Sequence, residues 1–353
     1  MIRNAVHSFF FQTHVRNYHT LHMPQSSSLG FTSYGSTAPE LAAATRAGPV
    51  MNAARRPRAV DIETSVSPVV RITVPAGQLT AWNGAMFLLH TILATVTLVV
   101  GNNGLTVPLF RTRLDFRFTN ETASGEMSSG NARPWEIVPV YEEAGSLPFT
   151  WLVAIFFILS ATFHLLNATA LKFLYLSSLE RCYSPTRWIE YTLSAPVMIV
   201  LISYTLGIRN QEVLFAQFVL IMITIPFGYW VEVVSRPKNQ DEWKGGLLYR
   251  LYPWFIGHIP QIAVWFLIIA TFYGGPDQVD RAPWFVHLIL WVELVLFFSF
   301  GAASVLSQWY APRYFYRGEI LFQVLSLVSK GLLGLILLTN VLMLSRFDDL
   351  YDD

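Results

Sequence analysis

The 353-residue sequence contains one cysteine, Cys182, and only 13% charged residues, where a soluble domain carries about 25%. A single thiol excludes a disulfide within the chain and any CxxC metal motif. The chain has no G-x-S-x-G elbow, no H-E-x-x-H and no glycine-rich phosphate loop leading into a lysine. Hydrolase, metalloprotease and nucleotide chemistry therefore lack their usual signatures, and no enzyme is expected. Acids are scarce at the start, where only Glu40 precedes Asp61. Residues 1–75 also lack the apolar core of a secretory signal, and read as a cytoplasmic extension that is disordered or, from its arginines and hydroxyl residues, targeting.

Apolar side chains are what the chain has in quantity: 53% of residues are hydrophobic and the mean hydropathy is +0.42. Windows long enough to cross about 30 Å of hydrocarbon fall at 79–100, 150–175, 187–208, 212–234, 252–274, 283–309 and 314–343. The runs are continuous rather than alternating, which predicts seven transmembrane helices and not a barrel. Arg209, Asn210, Gln211 and Glu212 separate the third and fourth spans as a polar turn. The bundle domain is 76–345, followed by an acidic tail, 346–353.

An odd number of spans puts the termini on opposite sides. One set of short loops and adjoining helix ends carries Arg181, Arg187, Arg236, Lys238, Lys244, Arg250, Arg313 and Arg317, and the other only Arg209 and Arg281. The positive-inside rule then places the N-terminus in the cytoplasm and the C-terminus in the extracellular or lumenal space. Those basic rims answer to topology and anionic lipid; no nucleic-acid partner is implied.

The connection after the first span, 101–149, is too long for a simple linker. VPLFRTRLDFRF (Val107 to Phe118) alternates apolar with polar or charged residues from Phe110 onward, and IVPVYEE (Ile137 to Glu143) is a possible partner. An external β-hairpin is expected, with SSGNARP in its turn region. The sequon at Asn120 would be accessible to glycosylation there, whereas the match at Asn167 lies inside the second span.

Few ionisable residues fall deep in the spans: Lys330 in SLVSKGLLGLILLTNVL, Glu190 in RWIEYTLSAPVMIV, Glu293 in LILWVELVLFF, and His90 and His164 in the first two spans. A charge at that depth must face protein or water and find a partner. Lys330 fits either a salt-bridged structural lysine or a desolvated amine able to attack a carbonyl. Glu190, with Ser194 four residues on, is its partner on charge alone, yet Glu190 also lies three residues from Arg187 and could pair there. His90 and His164 lack a third ligand and make no metal site; with Asn83, Ser160 and Asn167 they suggest a polar cavity between the first two spans.

Seven spans with a lysine in the last and a carboxylate early in the third resemble a microbial-type rhodopsin. RWIEYTLSAPVMI (Arg187 to Ile199), LSLVSK (Leu325 to Lys330), the cytoplasmic N-terminus and the long loop after the first span resemble the heliorhodopsin family, over residues 79 to 343. The resemblance implies a seven-helix rhodopsin bundle of inverted topology that binds all-trans-retinal at Lys330 through a protonated Schiff base. It implies Glu190 as counterion, Ser326 near the Schiff base, and His90 and His164 as the two histidines of a polar cavity; Ser194, one turn beyond Glu190, is expected near the Schiff base, and Asn83 and Asn167 in that cavity. It further implies light-driven isomerisation to 13-cis, a slow photocycle, a homodimer in the bilayer and a photoreceptor's signalling partner. Trp265 and Trp291, well inside their spans, are expected along the retinal pocket. Glu293 departs from the family pattern and raises the alternative of an ion path, hence a light-driven or light-gated proton conductor; a chromophore-free transporter is the remaining alternative.

Overall fold

The structure, a computed structural model, describes residues 69–118 and 135–344. Seven helices in it are long and apolar enough to span a membrane: α1 (Ala76–Val100), α2 (Phe149–Ala168), α4 (Pro185–Thr205), α5 (Gln211–Val234), α6 (Leu247–Gly274), α8 (Trp284–Trp309) and α9 (Phe315–Leu337). The last is entered through a 3-10 turn at Pro312–Tyr314 and leaves through a π turn at Leu338–Leu342. Large apolar side chains coat the outside, among them Ile92, Val99, Phe215, Ile259 and Val295. Polar ones fill the inside, including Asn83, His90, Glu190, Gln217, Glu293 and Lys330. That inversion is stable only where the surrounding solvent is lipid.

The second span is shorter than its hydropathy window. The helix stops at Ala168 because Thr169 leaves helical geometry at φ −125°, ψ −97°; the apolar residues beyond it form a separate short helix, α3 (Lys172–Leu179). The fifth span, α6, conversely starts at Leu247, ahead of its window. Between α4 and α5 the polar turn is as expected: Gly207 takes φ 94°, and the Asn210 side chain caps α5 by accepting from Val213 N at 2.9 Å. Glycine alone adopts that φ without strain.

The hairpin forms from β1 (Thr106–Phe118) and β2 (Trp135–Pro148), antiparallel, with Phe110 opposite Glu143 and Phe116 opposite Ile137. A bulge at Leu109/Phe110 accompanies Gly145 at φ 141°. Leu105, Val107 and Leu109 bury the base of the hairpin in the bundle, while Phe110 N donates to Arg209 O at 3.0 Å and Arg111 pairs with Glu212 at 2.8 Å. The hairpin therefore marks the end of the bundle where α4 turns into α5. Asn120, the SSGNARP turn, residues 1–68 and the acidic tail lie outside the described residues. Two short strands, β3 (Arg236–Pro237) and β4 (Trp243–Lys244), and a six-residue helix, α7 (Pro276–Arg281), complete the connections.

Candidate functional site: a buried lysine–carboxylate pair beside an apolar cavity

Lys330 sits in the middle of α9 and Glu190 in the second turn of α4, each 3% exposed. Lys330 Nζ donates to Glu190 Oε1 at 2.6 Å and to Ser160 Oγ, from α2, at 2.5 Å. The Ser160 hydroxyl in turn contacts Glu190 Oε1 at 2.6 Å, so three helices converge on one ammonium. Tyr191 covers it from one side, its ring centroid 5.4 Å from Nζ. Such a charge is retained only because paired, hydrogen-bonded neighbours replace its water.

Glu190 does not pair with Arg187. The Arg187 guanidinium instead binds two buried carboxylates, Glu232 of α5 and Glu319 of α9, and lies over the rings of Trp188 and Phe322, with Cζ to centroid distances of 5.0 and 4.2 Å. With both partners supplied by other helices, Arg187 leaves Glu190 to the lysine. Tyr175 and Gln323 bond into the same cluster. Reading the sequence for charges deep in the spans passed over Glu232 and Glu319, which lie near helix ends. The available signal was that Arg187, Glu232 and Glu319 occupy the same end of their spans.

Beside Lys330 runs a cavity with mostly apolar walls: Ala195 and Met198 of α4, Ile221 and Ile225 of α5, and Phe297 and Phe300 of α8, together with Trp188 and Tyr191. Ser194, Ser326 and Ser329 line its lysine end, and Thr224 and Gln261 add polar groups elsewhere. Gly228 of α5 lets the cavity keep this shape, because a Cβ there would run into the Trp188 ring.

Trp265 is 2% exposed and packs edge-on against Phe297 at 5.5 Å, behind the lining. Trp291 does not line the cavity either: it is 46% exposed. Glu293, Phe297 and Phe300 form the inward stripe of α8, and Trp291, two residues before Glu293, is turned about 200° from it. Depth within a span was a sound guide to level and none to direction.

His90 and His164 stack at 5.4 Å between α1 and α2. His164 Nδ1 is 2.9 Å from Asn83 Oδ1 and His90 Nδ1 is 2.9 Å from Met86 O. Both contacts are to acceptors, so each Nδ1 carries the proton and each Nε2 is left as an acceptor in the neutral ring. Asn167, 4% exposed, is buried on the same helix as His164. Ser160 lies one turn from His164 on α2, and so stands between this polar cluster and the lysine. Glu293 is fully buried, and its Oε2 accepts from Ser329 Oγ at 2.8 Å. Among the described residues no group of three His, Cys, Asp or Glu is assembled that could hold a metal ion.

A seven-helix membrane bundle with an ion-paired lysine inside its last span, at the mouth of an apolar cavity, is built as a rhodopsin is built. The chain belongs to the heliorhodopsin family, whose model matches residues 79–342. Membership makes it a retinal photoreactive protein, integral to the membrane through several spans, and implies a retinal chromophore. No curated protein matches the chain. Solved structures similar to it include xanthorhodopsin, a light-driven ion pump with dual chromophore, at 11% identity and TM-score 0.49, covering 75% of this chain and 92% of that one. Others are the thermophilic rhodopsin from Rubrobacter xylanophilus, at 14% identity and TM-score 0.48, covering 74% and 95%, and the light-driven proton pump LR (Mac) from Leptosphaeria maculans, at 12% and 0.42, covering 77% and 96%. At those scores they carry no argument about the chemistry of this chain.

Proposed function

We propose that the chain is a light-sensing retinal protein in which Lys330 is the attachment point, Glu190 the counterion and Ser326 and Ser194 the hydroxyls lining the attachment end. The observation that carries this reading is the Lys330–Glu190 pair, buried at 2.6 Å, with Lys330 lining a cavity whose walls are mostly apolar. The residues present fit the group: one amine, one carboxylate beside it, and a hydrocarbon-compatible slot leading away. When bound, retinal supplies light absorption and an all-trans to 13-cis isomerisation, here followed by a slow return.

The protein's own residues do the rest. Glu190 balances the positive charge at the Lys330 nitrogen in a site without bulk water, and Ser160 holds the two in register. Tyr191 and Trp188 wall the slot, and Met198 and Phe297 constrain its width. His90, His164, Asn83 and Asn167 provide hydrogen-bonding capacity next to Ser160, into which a proton or a shifted hydrogen bond can be received. The basic residues at the end opposite the hairpin support a cytoplasmic N-terminus.

The test is expression with added all-trans-retinal. A visible absorption band that is absent in Lys330→Ala is the expected result; a colourless wild-type protein, or an unchanged band in Lys330→Ala, overturns the reading. A second reading, a light-driven or light-gated proton conductor, is favoured by one observation: Glu293 is tied to Ser329, the residue preceding Lys330, at 2.8 Å. Photocurrent under voltage clamp that disappears in Glu293→Gln would select it over a non-transporting sensor.

A further inference from the structure

Three buried polar side chains lie on the faces that line the cavity but are not themselves part of its wall. Gln217 precedes Ile221 by four residues on α5, Trp265 follows Gln261 by four on α6, and Glu293 precedes Phe297 by four on α8. Because α5 and α8 start at the hairpin end and α6 finishes there, each step is one helical turn in the same direction, toward the hairpin. The packing brings the three to one level. Gly257 abuts Phe227 and Thr224, which sets antiparallel α5 and α6 so that Gln217 is level with Trp265. Gln261 Nε2 donates to Phe297 O at 3.2 Å, which likewise sets Trp265 level with Glu293.

All three are 2% exposed or less, and their polar atoms are left over: Gln217 Nε2 and Oε1, Trp265 Nε1 and Glu293 Oε1 have no hydrogen-bond partner. Buried polar groups in native proteins are almost always bonded, to protein or to ordered water. A single orphan is an isolated cost, but three at one level, with donors and acceptors both present, match the needs of buried water, which makes two to four bonds and can give and receive. Glu293 has no cation among its recorded contacts, its one hydrogen bond coming from Ser329. A carboxyl so placed needs further hydrogen-bond partners inside the bundle.

We propose that Gln217, Trp265 and Glu293 form a hydrated, proton-holding layer one helical turn to the hairpin side of the chromophore cavity. Glu293 is its titratable member, and Ser329 its link to the lysine. The layer is separate from the His90–His164 cluster, which lies between α1 and α2. It rests on the retinal reading, since light must reach it through Lys330 and Ser329.

Light-minus-dark infrared spectra of the full chain, reconstituted with all-trans-retinal in lipid, in H2O and in D2O, test it. In wild-type protein a C=O band of a protonated carboxyl changes on illumination and shifts in D2O. It disappears in Glu293→Gln and moves in Gln217→Leu and Trp265→Phe, which remove its water's other partners. If Glu293→Gln does not fold, Glu293→Asp moves the band instead. A coloured protein with no such band, a band that does not exchange in D2O, or one unmoved by both Gln217→Leu and Trp265→Phe overturns the proposal. Failure of the visible band to form in wild-type protein is a different result, and removes the retinal reading itself.

Discussion

Ser160 of α2 sits between the two ends of the buried ion pair, its Oγ 2.5 Å from Lys330 Nζ and 2.6 Å from Glu190 Oε1. Replacing it by alanine leaves one ammonium hydrogen and one carboxylate lone pair unmatched in a dry site, at a cost of about 1–3 kcal/mol. Ser160→Ala is therefore expected to lower the melting temperature and to move the visible band of the retinal-bound protein. Ser160→Thr, which keeps the hydroxyl, should restore most of both. A band unchanged in Ser160→Ala would show that the serine does not touch the attachment site.

Arg187 is held by Glu232 and Glu319 together, so deleting it strands two carboxylates. Arg187→Leu is expected to destabilise by about 3–5 kcal/mol, the range for breaking a buried pair from one side. Adding Glu232→Gln and Glu319→Gln should recover part of that loss, because the stranded charges go with them. Thermal unfolding of the single and triple variants measures both. Arg187→Lys should rescue poorly, since an ammonium cannot bridge two carboxylates in the planar fork of a guanidinium.

At Gly228 the Trp188 ring already occupies the space a Cβ would need. Gly228→Ala must push the indole toward the cavity it lines, with an overpacking cost of about 1–3 kcal/mol. The accompanying readout is a shifted absorption band or slower uptake of retinal. An alanine variant with wild-type colour and stability would mean that the ring moves aside freely.

Trp291 faces outward and Phe297 faces the cavity, on the same helix. Trp291→Ala should therefore leave the absorption band in place, whereas Phe297→Ala should move it. Spectra of the two variants decide between depth in the span and helix face as the property that matters.

Cys182 lies between α3 and α4 and is buried; burial, with the nearby Glu232 charge, pushes its thiol from an ordinary 9.0 up to about 12. The protonated form is the one the fold favours. Its contribution to stability is thus complete below the ordinary value of 9.0 and is lost as pH rises from there toward 12. Maleimide at pH 8 should label the folded protein slowly and the denatured one quickly, and Cys182→Ala should flatten the alkaline part of the stability curve.

The local features were legible in the residues. Continuous apolar runs mark spans because hydropathy is summed along the chain, the Gly207-to-Glu212 turn carries its own polar signal, and alternation from Phe110 to Phe118 marks a strand. The end of α2 was not legible, because Phe173, Leu174, Tyr175 and Leu176 are as apolar inside the short separate helix α3 as they would be inside the span. Ser160 was visible only as one more hydroxyl near His164.

A seven-span membrane bundle with a hairpin after the first helix and one lysine deep in the last span follows from the residues alone, since length, hydropathy and period are properties of each segment. Which charges meet was decided by the tertiary structure. Glu190 had two cations within reach on paper, and it is the rotation of α4 against α5 and α9 that turns Arg187 to Glu232 and Glu319 and leaves Glu190 facing Lys330. The packing of α8 likewise decides which of its faces is buried, leaving Trp291 exposed, and the packing of α5, α6 and α8 brings Gln217, Trp265 and Glu293 to one level from three helices. No periodicity within any single helix encodes that.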